Sequence, residues 1–244
     1  MLLAVVVGVL FFDPTGWGVR VLAVSALVAA SVELARLIKS QPIAFSIFTS
    51  ILTGLFGFTI FQDVSPLLIS IGCFLLLIRK EEQNVIRPAL GASLLLSGMS
   101  IAFLKLSLAK SGAFPLILTA AIPIWAGDTA AIFAGKAFGK HKLAPSISPN
   151  KTWEGSIANL LAAVGAAAAL GYFLKYPMDK MLLLGVSCGV LGQVGDLFES
   201  YLKRQAGVKD SGNLLPGHGG VFDRLDSLLM TAPFSYWILS SFLK

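Results

Sequence analysis

Apolar runs recur along nearly the whole chain, at approximately residues 2–12, 19–36, 42–61, 64–78, 88–109, 113–135, 156–174, 181–199 and 227–243. A helix needs about 17–25 such residues to cross a bilayer, and several of these runs are long enough. The run 64–78 is marginal and 2–12 is short, so the count is about eight or nine segments. Only 13% of the 244 residues are charged, and the mean hydropathy is +0.81. A soluble domain of this length carries about 25% charged residues. Polar side chains are therefore too scarce to cover a water-soluble globule, and the bilayer is the expected solvent. The chain reads as all-α: a polytopic integral membrane helical bundle in one domain, 1–244. Within it, 1–112 supplies N-terminal helices and 113–244 carries the polar loops.

The formal net charge is +6, but the bases are scattered between apolar runs, which argues against nucleic acid as a partner. In a membrane protein such bases set topology and meet lipid phosphates. Thirteen of the nineteen Lys and Arg residues fall on one side of the segments: Arg36, Lys39, Arg79, Lys80, Arg87, Lys136, Lys140, Lys142, Lys151, Lys203, Arg204, Lys209 and Arg224. By the positive-inside rule the two long polar loops, 136–155 and 203–226, are expected in the cytoplasm. Cys73 and Cys188 both lie in apolar runs and read as small hydrophobes. No basic region precedes the first apolar run, so the N-terminus reads as mature protein rather than a secretory signal.

The charge that the chain does carry is concentrated. Lys203, Arg204, Lys209, Asp210, His218, Asp223, Arg224 and Asp226 fall within the 27 residues from Ser200 to Asp226. Acids at membrane depth are costly and usually face a bundle interior or a wet cavity. Glu33, Asp128, Asp196 and Glu199 are such acids. Asp196 and Glu199 are three apart, so a helix presents both on one face. Asp223 and Asp226 repeat that spacing just after Gly217-His-Gly-Gly220. A helix starting near Phe222 would place both carboxylates in its first turn, where oxygen ligands suit a hard cation. The second polar loop contains Ser148-Pro-Asn-Lys-Thr-Trp-Glu-Gly155. It reads as a helix N-terminus opening at Ser148-Pro149, with Lys151, Thr152 and free N–H groups suited to a phosphate.

The stretch Ser200 to Asp226 resembles the hallmark of the phosphatidate cytidylyltransferases (CDP-diacylglycerol synthases). Its Ser-x-apolar-Lys-Arg, Lys-Asp, x-His-Gly-Gly and Asp-Arg-apolar-Asp elements all stand in this chain without a departure. Ser148 to Gly155 is similar to the family's second hallmark, commonly Ser-Pro-Lys-Lys-Thr-Trp-Glu-Gly, with Asn150 where a lysine is frequent. Glu33-Leu-Ala-Arg36 also looks like the Glu-x-x-Arg region early in these enzymes. The resemblance implies transfer of CMP from CTP to phosphatidate, giving CDP-diacylglycerol and pyrophosphate. A water-soluble CTP and a lipid phosphatidate call for a site at the cytoplasmic boundary, and the compact length without a targeting segment is expected of a bacterial inner-membrane protein. The resemblance also implies Asp196, Asp223 and Asp226 as Mg2+ ligands, with K+ as a candidate second ion. His218 and Lys209 join those acids as catalytic candidates. Ser148, Asn150, Lys151, Thr152, Lys203, Arg204, Arg224 and Asp128 are implied as substrate-binding, and a homodimer is a family-based expectation.

Plainer readings compete. Asp223 and Asp226 could serve as helix caps, Glu199 could pair with Lys203 at i,i+4, and Lys203 and Arg204 could be topological anchors. Trp125 and Trp153 read as interfacial anchors rather than stacking platforms. At the level of function, a CTP-dependent polyprenol or phytol kinase would release CDP instead of pyrophosphate. An ion-coupled transporter would also bury acids, but the two halves of the chain show no internal symmetry.

Overall fold

The computed structural model describes residues 17–38, 96, 99–111, 114–213 and 219–241. Over these residues the chain is mostly helical, because backbone N–H and C=O groups in hydrocarbon have to be satisfied within the segment itself. The helices are α1 (Trp17–Leu37), α2 (Met99–Leu108), α3 (Leu116–Phe138), α4 (Trp153–Leu174), α5 (Met178–Ala206) and α6 (Phe222–Ser240). Among the described residues α3, α4 and α5 are long and apolar enough to cross a membrane. The apolar runs expected at 2–12, 42–61 and 64–78, and residues 88–95 and 97–98 of the run 88–109, lie outside the described residues.

Consecutive helices pack as neighbours, α3 on α4, α4 on α5 and α5 on α6, while α1 lies against α5 and α6. Buried Ala30, Leu34, Leu106, Leu116, Leu184, Leu229 and Leu239 belong to one continuous core. The α4–α5 seam is made by small residues. A Cβ on Gly185 would sit 2.6 Å from the Cα of Val164, and one on Gly189 would sit 3.0 Å from the Cα of Leu160. Such close backbone approach supplies packing where no hydrophobic force joins helices in lipid. The outer face of α4 remains bare: Leu161, Tyr172 and Phe173 are exposed, as lipid-facing side chains are.

Two short antiparallel pairs interrupt the all-α expectation. Lys110–Ser111 (β1) pairs with Phe114–Pro115 (β2), and Lys142–Ala144 (β3) pairs with Ser148–Thr152 (β4). The second pair corrects the sequence reading that Ser148-Pro149 opens a helix. The ladder partners Lys142↔Thr152 and Ala144↔Ser148 draw this segment into extended backbone, and the amide of Trp153 donates to the carbonyl of His141 at 2.9 Å. Helix α4 therefore starts at Trp153, with Thr152 as its N-cap accepting from the amide of Gly155 at 3.2 Å. The threonine seats the hairpin on the end of α3, where Gly135 and Gly139 leave room for it.

Helix α5 decides where the polar chemistry lies. Its 29 residues extend for about 43 Å, against a hydrocarbon core of about 30 Å. A span of that thickness beginning at Asp179 and Lys180 would end near Glu199. The helix then closes on Gly207, whose φ of +78° is the left-handed cap that favours glycine.

Candidate active site

Asp196, Glu199, Ser200 and Lys203 recur at helical spacing along the last turns of α5 and so share a face. That face meets the start of α6, with Asp223 in its first turn and Asp226 just beyond it. The approach is close because position 195 is glycine: a Cβ there would stand 2.9 Å from the carbonyl oxygen of Asp226 and 2.9 Å from the Cβ of Met230. Carboxylate oxygens from Asp196, Glu199 and Asp226 consequently lie within 4.8 Å of one another. Glu199 is only 2% exposed, and its Oε1 is buried without a hydrogen-bond partner. Three convergent carboxylates, one with an unmet acceptor, are a donor set that fits a hard, oxygen-seeking cation.

Two lysines flank this cluster. Lys151, from β4, pairs with Asp196 at 2.6 Å. Lys203 bridges two acids, with its ammonium 2.9 Å from Glu199 and 2.8 Å from Asp223. Of the sequence-predicted set Asp196, Asp223 and Asp226, the first and last belong to the three clustered oxygens, and Asp223 meets Glu199 and Lys203 beside them. Asp223 also accepts from the backbone amides of Gly220, at 2.8 Å, and Ser211, at 3.1 Å. Burial disfavours its charge, but hydrogen bonds shared with Glu199, Lys203 and these two amides outweigh burial and hold its carboxyl well below the usual range. Asp226 goes the other way. Burial first, and the nearby charge of Asp196 second, push its carboxyl up.

Asp128 is held by a polar network that crosses three helices. The amide of Asn159 donates to Asp128 at 3.1 Å, and Gln193 donates to Asn159 at 3.3 Å and to the carbonyl of Gly189 at 2.6 Å. Ser156 hydrogen-bonds to Gln193 as well. Ser148 is half-buried and Asn150 exposed on β4. Arg204 is exposed and reaches back to the carbonyl of Ile147 at 3.3 Å, tying the hairpin to the end of α5. Lys209 and Arg224 are both exposed, on the turn after α5 and at the start of α6. His218 lies outside the described residues. The fold thus gathers Lys151, Asp196, Lys203, Asp223 and Asp226 at one end of the bundle.

Sequence reasoning assigned no role to Glu33 and passed over His141. His141 Nδ1 lies 2.7 Å from Glu154 and pins the hairpin to α4. Glu33, near the end of α1, is 4% exposed and accepts from the backbone amides of Val221, at 3.1 Å, and Phe222, at 2.7 Å. The signals for it were an acid inside an apolar run and the Glu-x-x-Arg resemblance of Glu33 to Arg36, and neither names a partner so distant in sequence.

Several curated bacterial proteins are similar to this chain. A phosphatidate cytidylyltransferase of Bacillus subtilis (strain 168) is 47% identical over 128 residues, 52% of this chain and 48% of the relative. One from Staphylococcus aureus (strain COL) is 45% identical over 137 residues, 55% of this chain and 53% of the relative. One from Brucella suis biovar 1 (strain 1330) is 41% identical over 169 residues, 68% of this chain and 61% of the relative. The matched stretch thus spans about half the length of the first two relatives. The family comparison is more extensive, matching residues 1–242, and on that match the chain belongs to the cytidylyltransferase family.

Proposed function

We propose that this chain transfers CMP from CTP to phosphatidate, releasing pyrophosphate and forming CDP-diacylglycerol. The observation that carries the reading is the clustering of Asp196, Glu199 and Asp226 between Lys151 and Lys203, where α5 leaves the apolar core. A phosphate oxygen of phosphatidate forms a bond to the α-phosphorus of CTP. The bond from that phosphorus to the bridging oxygen breaks, and pyrophosphate leaves with the electron pair. The nucleophile is already an anion, so no strong general base is required. What is needed is charge neutralisation and in-line alignment.

Asp196, Glu199 and Asp226 are the residues that would hold Mg2+. When bound, that ion would neutralise triphosphate charge and polarise the phosphoryl oxygens. Lys151 is placed to exchange Asp196 for a phosphate oxygen, because a mobile ammonium binds phosphate as a point charge. Asp223 orients Lys203 and, through its amide bonds, fixes the turn before α6. A cytoplasmic site fits both substrates, since CTP is soluble in water and phosphatidate enters from the bilayer. Bases concentrated on this side of the chain support that orientation.

The test uses purified protein in lipid nanodiscs containing phosphatidate, with α-labelled CTP and Mg2+. Label is expected in the lipid phase with stoichiometric pyrophosphate. It should disappear on chelation and fall by about 100-fold or more in Asp196→Asn, the scale of losing an electrostatic stabiliser of the reacting phosphoryl. Entry of γ-label into lipid would replace this reading with phosphoryl transfer, and absence of both labels would remove it.

A further inference from the structure

The geometry points to Glu33 as the positioning residue for the turn that carries Asp223 and Asp226. The N-terminal turn of a helix leaves amides without partners inside the helix, and Val221, at the N-cap of α6, supplies no side-chain acceptor. Glu33 supplies it from another helix. Its Oε1 accepts from the amide of Val221, and its Oε2 accepts from the amide of Phe222 at 2.7 Å and from the hydroxyl of Ser211 at 3.0 Å. A carboxylate at a helix N-terminus is also favoured by the helix dipole.

The seat for this carboxylate is built from two glycines that are remote from each other in the loop. A Cβ on Gly212 would lie 2.6 Å from Glu33 Oε1, and one on Gly220 would lie 2.5 Å from Oε2. Neither position has a positive φ, so what glycine provides there is space. The neighbouring Gly219, at φ +79°, is the one that needs conformational freedom. The same two segments are held from the other side by Asp223, through the amides of Ser211 and Gly220. Glu33 and Asp223 therefore form two jaws around the 211–212 and 220–222 backbone. Release of one jaw frees the turn from which Asp226 reaches Asp196 and Glu199. Leu34, the next residue on α1, lines the small apolar pocket that Asp226 also borders, so α1 supports this turn by packing as well.

The activity readout of the test rests on the cytidylyl-transfer reading, whereas its exchange readout does not. Full-length wild type, E33Q, S211A and L27A are compared in nanodiscs. Leu27 is a buried α1 side chain outside the site and serves as the packing control. Hydrogen exchange at residues 220–223 and the Mg2+ concentration for half-maximal label transfer are measured on each. In E33Q an NH2 group faces amide donors, so exchange at 220–223 and the Mg2+ half-saturation should both rise about 10-fold, the scale of one lost hydrogen bond to a charged group. S211A should move both in the same direction by less. L27A should lower the melting temperature and move neither. The inference is overturned if E33Q matches wild type in both readouts, or if L27A reproduces E33Q. Should E33Q fail to fold, S211A against L27A decides by exchange. If wild type transfers no label, the exchange data still decide the clamp, while the function proposed above fails separately.

Discussion

Replacing Lys203 by methionine isolates the energetics of the polar cluster. The ammonium lies 2.9 Å from Glu199 and 2.8 Å from Asp223, and the side chains of the three residues are 13%, 2% and 9% exposed. Removing one partner of a buried ion pair costs about 3–5 kcal/mol, because the other charge is left uncompensated. Here the two acids do not suffer equally. Asp223 keeps its bonds from the amides of Gly220 and Ser211. Glu199, with one oxygen already unpartnered, has no backbone amide among the described residues to replace the lysine and keeps only the hydrogen bond it shares with Asp223. The loss is therefore concentrated at Glu199 and falls at the lower end, about 3 kcal/mol. At about 2–4 °C per kcal/mol for chains of this size, the melting temperature should drop by about 6–12 °C. Tryptophan fluorescence during heating, at pH 7 and one scan rate for every variant, measures it. Adding Glu199→Gln to Lys203→Met should recover most of the loss, whereas adding Asp223→Asn should recover little. A Lys203→Met protein that melts within about 2 °C of wild type, or recovery through Asp223 rather than Glu199, would refute the reasoning.

Two further outcomes follow from the geometry. Gly185→Leu places a side chain where even a Cβ would meet the Cα of Val164 at 2.6 Å, so α4 and α5 should separate at a cost of about 3 kcal/mol; thermal unfolding in detergent measures it, and unchanged melting would contradict the seam. Because Asp223's carboxyl sits well below its unfolded value, the stability it contributes is complete above the unfolded value of about 3.9 and is lost as pH falls through the lower, folded one. The melting difference between wild type and Asp223→Asn should accordingly stay flat from pH 8 to 5 and shrink only below about pH 4; a difference that shrinks near pH 6 would point to another group.

Much of this arrangement was legible because membranes restrict the menu of structures. Apolar length alone placed α3, α4 and α5, and the i,i+3 spacing of Asp196 with Glu199 put both on one face. The start of α6 at Phe222 was readable from Gly219-Gly220 followed by Asp223. Legibility failed where a partner lay far away in sequence or where local pairing beat propensity. Ser148-Pro149 resembles a helix start, yet pairing with Lys142–Ala144 made it a strand, and periodicity does not report such pairing. The part played by Glu199 was hidden for another reason. Its spacing fitted a plain i,i+4 pair with Lys203, and that pair forms. Only the close approach at Gly195 shows that the same carboxylate also meets Asp196 and Asp226.

The contact between Glu33 and the start of α6 spans 188 residues, which bears on how this protein comes into being. Loop-closure entropy grows only with the logarithm of length, so joining these ends costs about 1.5 kcal/mol more than joining Asp196 to Asp226. The thermodynamic penalty is small, but the order of events is fixed. During synthesis α1 exists before the residues it is to hold, and it waits with a buried acceptor until the last described helix arrives. The polar cluster is therefore finished only when α1 and α6 meet, and a nascent or truncated chain lacking α6 carries Asp196 and Glu199 without the turn that completes them.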